Sequence, residues 1–354
     1  MGVLAGALAA ADVRQKPFEI LTLAEGVYGF VWTEPLPELV EGNALFIVND
    51  HDVVVVDTSN FPSSARRMVA ELRKLTDKPV RYVVNTHWHD DHHGGNFVYR
   101  EAWPAVEFIG HRDTRVDILN KSYASRPKDL ADIERSAQTV ERWIAAGKDD
   151  AGKPMDEQRK ARARSFIAEG RSAIQELRTV QEAPPDLTLE DRLVLHRGRR
   201  TIELLWLGRG NTRGDVVVLL PRERIVATGD LLVYPIPFAF FSYYEEWTAT
   251  LGKLDALPAD LLFLAHGHPQ RDRAYLRQVQ SLLGALVERT RAAAAEGLGV
   301  EQAKQKVTLA DWKERFAGDD PARIRAFDSF FVEPAVERAF RQAKGDAAAL
   351  GAPE

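Results

Sequence analysis

The chain contains no cysteine. That absence excludes disulfide cross-links, thiolate nucleophiles, cysteine-ligated zinc and iron–sulfur clusters together. Any metal ion therefore has to be held by histidine and carboxylate. A long apolar run is also missing, and the mean hydropathy is -0.28, so no transmembrane span is expected. Nor is positive charge in excess. With 47 basic against 52 acidic side chains the net charge is -5, the wrong sign for a surface built on nucleic acid. What the chain does have is 354 residues, enough to bury a sizeable core in one large domain or two small ones.

Apolar patterning divides the chain into a layered α/β body and a helical insertion. Glu19–Leu23, Val27–Trp32, Ala44–Val48 and Val53–Asp57 read as strands. A helix over Ala65–Leu75, a buried strand Pro79–Thr86 and a short strand Val106–Gly110 follow. Strands resume at Arg192–His196, Thr201–Trp206, Val216–Leu220 and Arg224–Thr228, and helices are expected over Gln270–Ala294 and Pro321–Lys344. Between them, about 112–182, the period becomes helical and the surface highly charged, which predicts a helical hairpin acting as a lid, a homodimer contact or a solvated elaboration. Residues 19–344 are thus read as one domain. The Ala-rich start within 1–18 ends in an Ala-x-Ala pattern, read as a signal-peptide remnant and linker, which favours a periplasmic or secreted location, or as a frayed terminus of a cytoplasmic chain; 345–354 is expected to be a disordered tail.

Four of the nine histidines lie in one stretch, Asn85-Thr86-His87-Trp88-His89-Asp90-Asp91-His92-His93-Gly94-Gly95-Asn96, directly after an apolar strand. A loop at the end of a buried strand is rigidly mounted yet reachable, which suits a metal site. His87 and His89 alternate in an extended stretch and can grip one ion together. Asp91 and His92 follow where the chain turns into a helix and can face a second. Gly94-Gly95 lets the backbone fold tightly against that site.

This stretch resembles the His-x-His-x-Asp-His signature of the metallo-β-lactamase-fold hydrolases. The resemblance covers Glu19 to Asp272 apart from the insert, and later motifs follow in the family's order. Asp57 is similar to an early Asp that stands behind the ligands. Thr228-Gly229-Asp230-Leu231-Leu232 resembles the motif whose Asp bridges two metals. Leu264-Ala265-His266-Gly267-His268-Pro269 resembles the motif holding the last ligand, for which His266 and His268 compete. One position departs: Asn211 stands where the family's third His for the first ion is expected. Its amide oxygen is a weaker zinc donor than imidazole. A substrate-side hydrogen bond or a plain turn residue are the alternatives for Asn211.

The resemblance implies an αβ/βα four-layer sandwich with an inserted helical hairpin, and two zinc ions per chain, the first more weakly held. The implied ligands are His87, His89, Asp91, His92, Asp230, His266 and Asn211, with Asp91, Asp230 and Asn211 in catalytic roles. Asp57 and His268 are expected behind the ligands or facing substrate. So are Tyr234 and Phe238, from an aromatic run that makes either an apolar pocket or core. The implied activity is zinc-dependent hydrolysis of an ester, lactone, amide or β-lactam, or phosphoester bond of a small molecule. Two rivals are a metal-binding protein with a degenerate, non-catalytic site, and an assembly module working through the insert.

Overall fold

The computed structural model describes residues 17–33 and 41–346. The expected signal remnant within 1–16 and most of the expected tail, 347–354, lie outside the described residues. Two mixed sheets stack face to face. The first runs β1 (Phe18–Ala24), β2 (Val27–Trp32), β3 (Ala44–Val48), β4 (Val53–Val56), β5 (Val80–Val84), β6 (Glu107–His111) and β7 (Leu187–Leu189), paired in that order. It is antiparallel as far as β4 and parallel beyond. The second comprises β8 (Arg192–Arg197), β9 (Arg200–Trp206), β10 (Val216–Leu220), β11 (Ile225–Ala227) and β12 (Leu261–Phe263), antiparallel except where β12 lies parallel to β11.

Side-chain alternation explains the stacking. Leu45 and Ile47 of β3, and Val54 and Val56 of β4, point into the layer between the sheets, where they meet Val216, Val218 and Leu220 of β10. Their neighbours Ala44, Phe46, Val53 and Val55 face outward onto the helices Pro62–Leu75 and Asn96–Ala102. On the far side Val217 and Leu219 pack beneath the helices Tyr244–Asp255, Ala274–Ala295 and Glu333–Ala343. A period of two on strands that are apolar on both faces demands a partner layer on each side. The result is helix, sheet, sheet, helix.

Parallel strands end on the same edge, and that edge carries the site. Asp57 follows β4 and the histidine stretch follows β5, held together by the Asp57 amide donating to the Val84 carbonyl at 2.9 Å. Asp230 follows β11 and His266 follows β12. Two further bonds join the sheets there. The Val216 amide donates to the Thr86 carbonyl (2.8 Å), and the Asn43 side chain donates to the Leu264 (3.0 Å) and Gly267 (2.9 Å) carbonyls around His266.

The insert contains the helices Arg112–Asp117, Ala124–Ala146 and Glu157–Leu177. A π-helical turn, Ile118–Tyr123, precedes the second. The helix expected over Pro321–Lys344 is likewise interrupted by a π turn, Phe327–Val332. Each turn contains the residue four positions before a proline, Pro127 or Pro334. Proline lacks the N–H that would bond that carbonyl, and its ring crowds it, so the ladder widens locally. The freed Phe330 carbonyl is taken by the Ala239 amide at 2.9 Å, tying the C-terminal helix to the aromatic loop. One expectation shifts: the long helix begins at Ala274 rather than Gln270, because Gln270 pairs with Leu262 instead. On the insert's second long helix the buried residues are Ile167, Gly170, Ala173 and Ile174. The short strands Leu187–Leu189 and Leu261–Phe263 add parallel edges that three residues could not announce.

Gly94 and Gly95 are required by proximity and not by backbone angle. A Cβ on Gly94 would lie 2.2 Å from the Asn60 carbonyl oxygen, and one on Gly95 2.3 Å from that of Thr58 and 2.4 Å from Ala65 Cβ. Gly95→Ala should therefore lower the unfolding free energy in urea by about 2–3 kcal/mol. Gly284, inside the helix Ala274–Ala295 with nothing within 4 Å, is the matched control. Gly284→Ala should raise stability by about 0.5–1 kcal/mol. Equal effects at the two sites would refute the close-approach argument.

Candidate metal centre

One carboxylate orients the two innermost histidines. Asp57 Oδ2 accepts from His92 Nδ1 at 2.9 Å and from the Thr86 hydroxyl at 2.8 Å, while Oδ1 accepts the Thr86 amide at 2.8 Å. With its proton committed to Asp57, the Thr86 hydroxyl can only accept from His87 Nδ1, 3.0 Å away. In their neutral forms both imidazoles are thereby Nδ1–H tautomers, with Nε2 left to face inward. Asp57 itself has φ 60°, a left-handed conformation uncommon for a residue other than glycine, and it is buried. Behind His92, Asn85 donates to the His92 carbonyl at 3.1 Å and pairs with Asn96. Asn96 in turn bonds Thr58 and the Ala183 carbonyl, so this buried polar shell is internally satisfied.

The ligand atoms form two groups that share Asp230. Asp230 Oδ2 lies 3.5 Å from His87 Nε2 and 3.9 Å from His89 Nδ1, and those two nitrogens are 2.9 Å apart. Asp230 Oδ1 lies 3.5 Å from both His92 Nε2 and His266 Nε2. Asp91 Oδ2 closes the second group, 3.2 Å from His92 Nε2 and 3.0 Å from His266 Nε2. Yet His92 Nε2, His266 Nε2 and both Asp230 oxygens are buried without a hydrogen-bond partner among the described residues. These approaches therefore lack hydrogen-bond direction; the atoms converge on common points.

Electrostatics agree with two cation sites. Burial opposes ionisation of Asp230 and Asp91, but the surrounding imidazoles overcome it and hold both carboxyls well below the usual range. Burial likewise opposes charge on His92, and Asp91, Asp230 and Asp57 reverse it, raising His92 well above its ordinary value. His266 is raised for the same reason, chiefly by Asp230 and then by Asp91. His87 goes the other way: burial and the neighbouring His92 push it down to about 3, a neutral imidazole with a free lone pair.

Other anticipated residues divide clearly. His268 is exposed and belongs to neither group, so His266 takes the place for which the two competed. Asn211 is fully buried; its amide nitrogen donates to the Phe238 carbonyl at 2.7 Å and its oxygen has no partner. The Phe238 ring stands 5.1 Å from that of His266, whereas Tyr234 packs edge-on against Tyr275 at 5.0 Å. His93 bonds the Trp88 carbonyl, and His111 caps the helix Arg112–Asp117 while stacking on Trp206. Sequence reasoning assigned no role to Thr86, and only its position before His87 hinted at one.

Zinc accepts imidazole and carboxylate donors at about 2.0–2.2 Å, so tetrahedral donors around it stand about 3.3–3.6 Å apart. The 3.0–3.5 Å separations in the second group and the orphaned Asp230 oxygens fit such an ion. Comparison with known proteins agrees. Residues 38–266 match the sequence profile of the metallo-beta-lactamase superfamily. Linear primary-alkylsulfatase from Pseudomonas sp. (strain ATCC 19151) is 23% identical over 271 residues, 73% of this chain; the chain spans about half, 48%, of that protein. In fold the chain is similar to the metallo-beta-lactamase from Pontibacter korlensis, with a TM-score of 0.53 at 18% identity over 76% of this chain and 99% of that one. The metallo-beta-lactamase FIM-1 from Pseudomonas aeruginosa, in its mono-zinc form, gives 0.53 at 16% identity over 77% and 98%. With its profile match, its two stacked mixed sheets and its paired His/Asp ligand groups, this chain belongs to the metallo-beta-lactamase superfamily.

Proposed function

We propose that the chain hydrolyses an ester-type bond in a small organic molecule, using two zinc ions held on either side of Asp230. The observation that carries this reading is the division of Asp230, with Oδ2 toward His87 and His89 and Oδ1 toward His92 and His266. Zinc bound there supplies Lewis acidity toward the attacked group and acidifies water at neutral pH. The protein's part is orientation. Asp57 and Thr86 fix the tautomers of neutral His92 and His87, and Asp91 and His266 complete the second group.

A bulky apolar leaving group or acyl chain has a surface to lie on. Phe241 is 49% exposed, and its ring is 6.1 Å from His89 and 5.3 Å from Trp88. Among ester types, a sulfate ester is the second reading, favoured by the likeness to an alkylsulfatase. A degenerate site is disfavoured because His87, His92, Asp230 and His266 are buried and converge with Asp91, although Asn211 replaces one expected histidine.

Elemental analysis of chain purified with zinc should return two ions per chain, and chelation should remove hydrolysis of an activated ester until zinc is restored. Asp230→Asn should reduce bound zinc to one ion or fewer and abolish turnover while leaving the circular dichroism spectrum intact; two retained ions would refute the shared carboxylate. Asp57→Asn acts only through other residues, and should weaken zinc about 10–100-fold in chelator competition. Unchanged affinity there would show that the imidazoles do not need their anchor.

A further inference from the structure

Beside the metal centre lies a separate small cavity of about 210 Å³, bounded by Trp88, Lys121, Thr212, Arg213, Phe241 and Arg338, with Asp117 and Tyr243 behind them. We propose that this cavity is an anion subsite, which receives a carboxylate or sulfate group on a substrate whose apolar body lies across Trp88 and Phe241. The inference deepens the hydrolase reading and rests on it for the position of the scissile bond.

Charge makes the case first. Three cations border the cavity against a single carboxylate. Asp117 is buried and shared: Arg213 grips it with two bonds of 2.9 and 2.7 Å, and Lys121 stands 3.1 Å away. One carboxylate cannot neutralise both, and Arg338 has no carboxylate partner among the described residues. Its Nε donates to the Ser242 carbonyl at 3.0 Å, and its guanidinium lies 5.5 Å over the Tyr243 ring. The cavity therefore carries a surplus of two positive charges inside a surface whose overall balance is acidic. Partly enclosed walls keep that field from being screened as it would be on open surface.

Position makes the case second. Trp88 lies between the metal-facing His87 and His89 in sequence, and its ring is 4.7 Å from that of His89. Lys121 Nζ sits 5.2 Å over the Trp88 ring. Thr212 follows Asn211 directly, and Phe241 touches both Trp88 and His89. The cations thus stand one aromatic side chain away from the first ligand group. A molecule with an anionic head and an apolar middle would span from Lys121 and Arg338 across Trp88 to that group.

The cations come from three distant parts of the chain: the π turn before Pro127, the Asn211 loop, and the helix Glu333–Ala343, which holds Pro334. Each is fixed by its own anchor, Asp117 for the first two and Ser242 for the third. Such preorganisation favours ligand binding because few rotamers need freezing.

Isothermal titration of the zinc-loaded full chain with hexyl sulfate, hexan-1-ol and inorganic sulfate tests the proposal. Hexyl sulfate should bind more tightly than either, and 1 M salt should weaken it. Lys121→Gln and Arg338→Gln should each raise its Kd about threefold to fivefold, and together about tenfold or more, with zinc content and thermal midpoint unchanged. Equal affinity for hexyl sulfate and hexan-1-ol, or an unaltered Kd in the double variant, would overturn the subsite. Failure of the chain to hydrolyse any ester, with hexyl sulfate bound and lost as described, would sink the hydrolase reading and leave the subsite standing. Normal ester hydrolysis with no charge-dependent binding would do the reverse.

Discussion

The structure depends on how one carboxylate is spent. Asp57 sits at the end of a fully buried strand, in a backbone conformation that an L-residue adopts at a cost, and it gives both oxygens to neighbours. Through Thr86 it reaches His87, and directly it reaches His92, so a single anchor sets the tautomer of one ligand in each group. Burial pushes its own carboxyl upward, against the pull of His92 and Thr86. That opposition is affordable because the site is mounted on the ends of parallel strands whose backbone bonds leave little room to relax.

Rigidity at that edge comes from the paired polar groups behind the ligands. Asn85, Asn96, Thr58 and Asn43 are all satisfied, and they hold the backbone of His92 and of the His266 loop. Buried atoms left without a partner among the described residues include Nε2 of His92, both ring nitrogens of His266 and both oxygens of Asp230. Unpaired buried acceptors cost about 1–3 kcal/mol each, so a fold that concentrates them in one place stores a strong preference for cations there.

Two prolines inside helices extend the site beyond the family's own motifs. Pro127 widens the helix that carries Lys121, and Pro334 frees the Phe330 carbonyl for Ala239 in the aromatic loop. The aromatic run after Asp230 is consequently divided in its duties. Tyr234 and Tyr244 pack with the core, Phe238 stands against His266, and Phe241 stays half-exposed beside His89.

Much of this was legible without coordinates, because the signals were local. Strands apolar on both faces and a histidine stretch after one of them point to buried layers and a metal site, and the resemblance to the family's ordered motifs supplied the layer order, Asp230 and the His266 motif. His266 could not be separated from His268 that way, since two residues of one loop differ only in which faces the opposite sheet. Nor could Asn211 be assigned, because its role turns on which amide atom the Phe238 carbonyl claims. The three-residue edge strands were invisible for want of a full period, and the helix Tyr244–Asp255 follows an aromatic run that masks its apolar stripe. The cationic cavity was beyond reach for a different reason. Lys121, Arg213 and Arg338 are ordinary surface residues in sequence, and only packing of the insert and the C-terminal helix over the same edge brings them together. What sequence determined by itself is the chemistry of the centre, since ligand types and their order along the chain are local; what tertiary structure decided is the shape and charge around it, since those are sums over residues more than 200 positions apart.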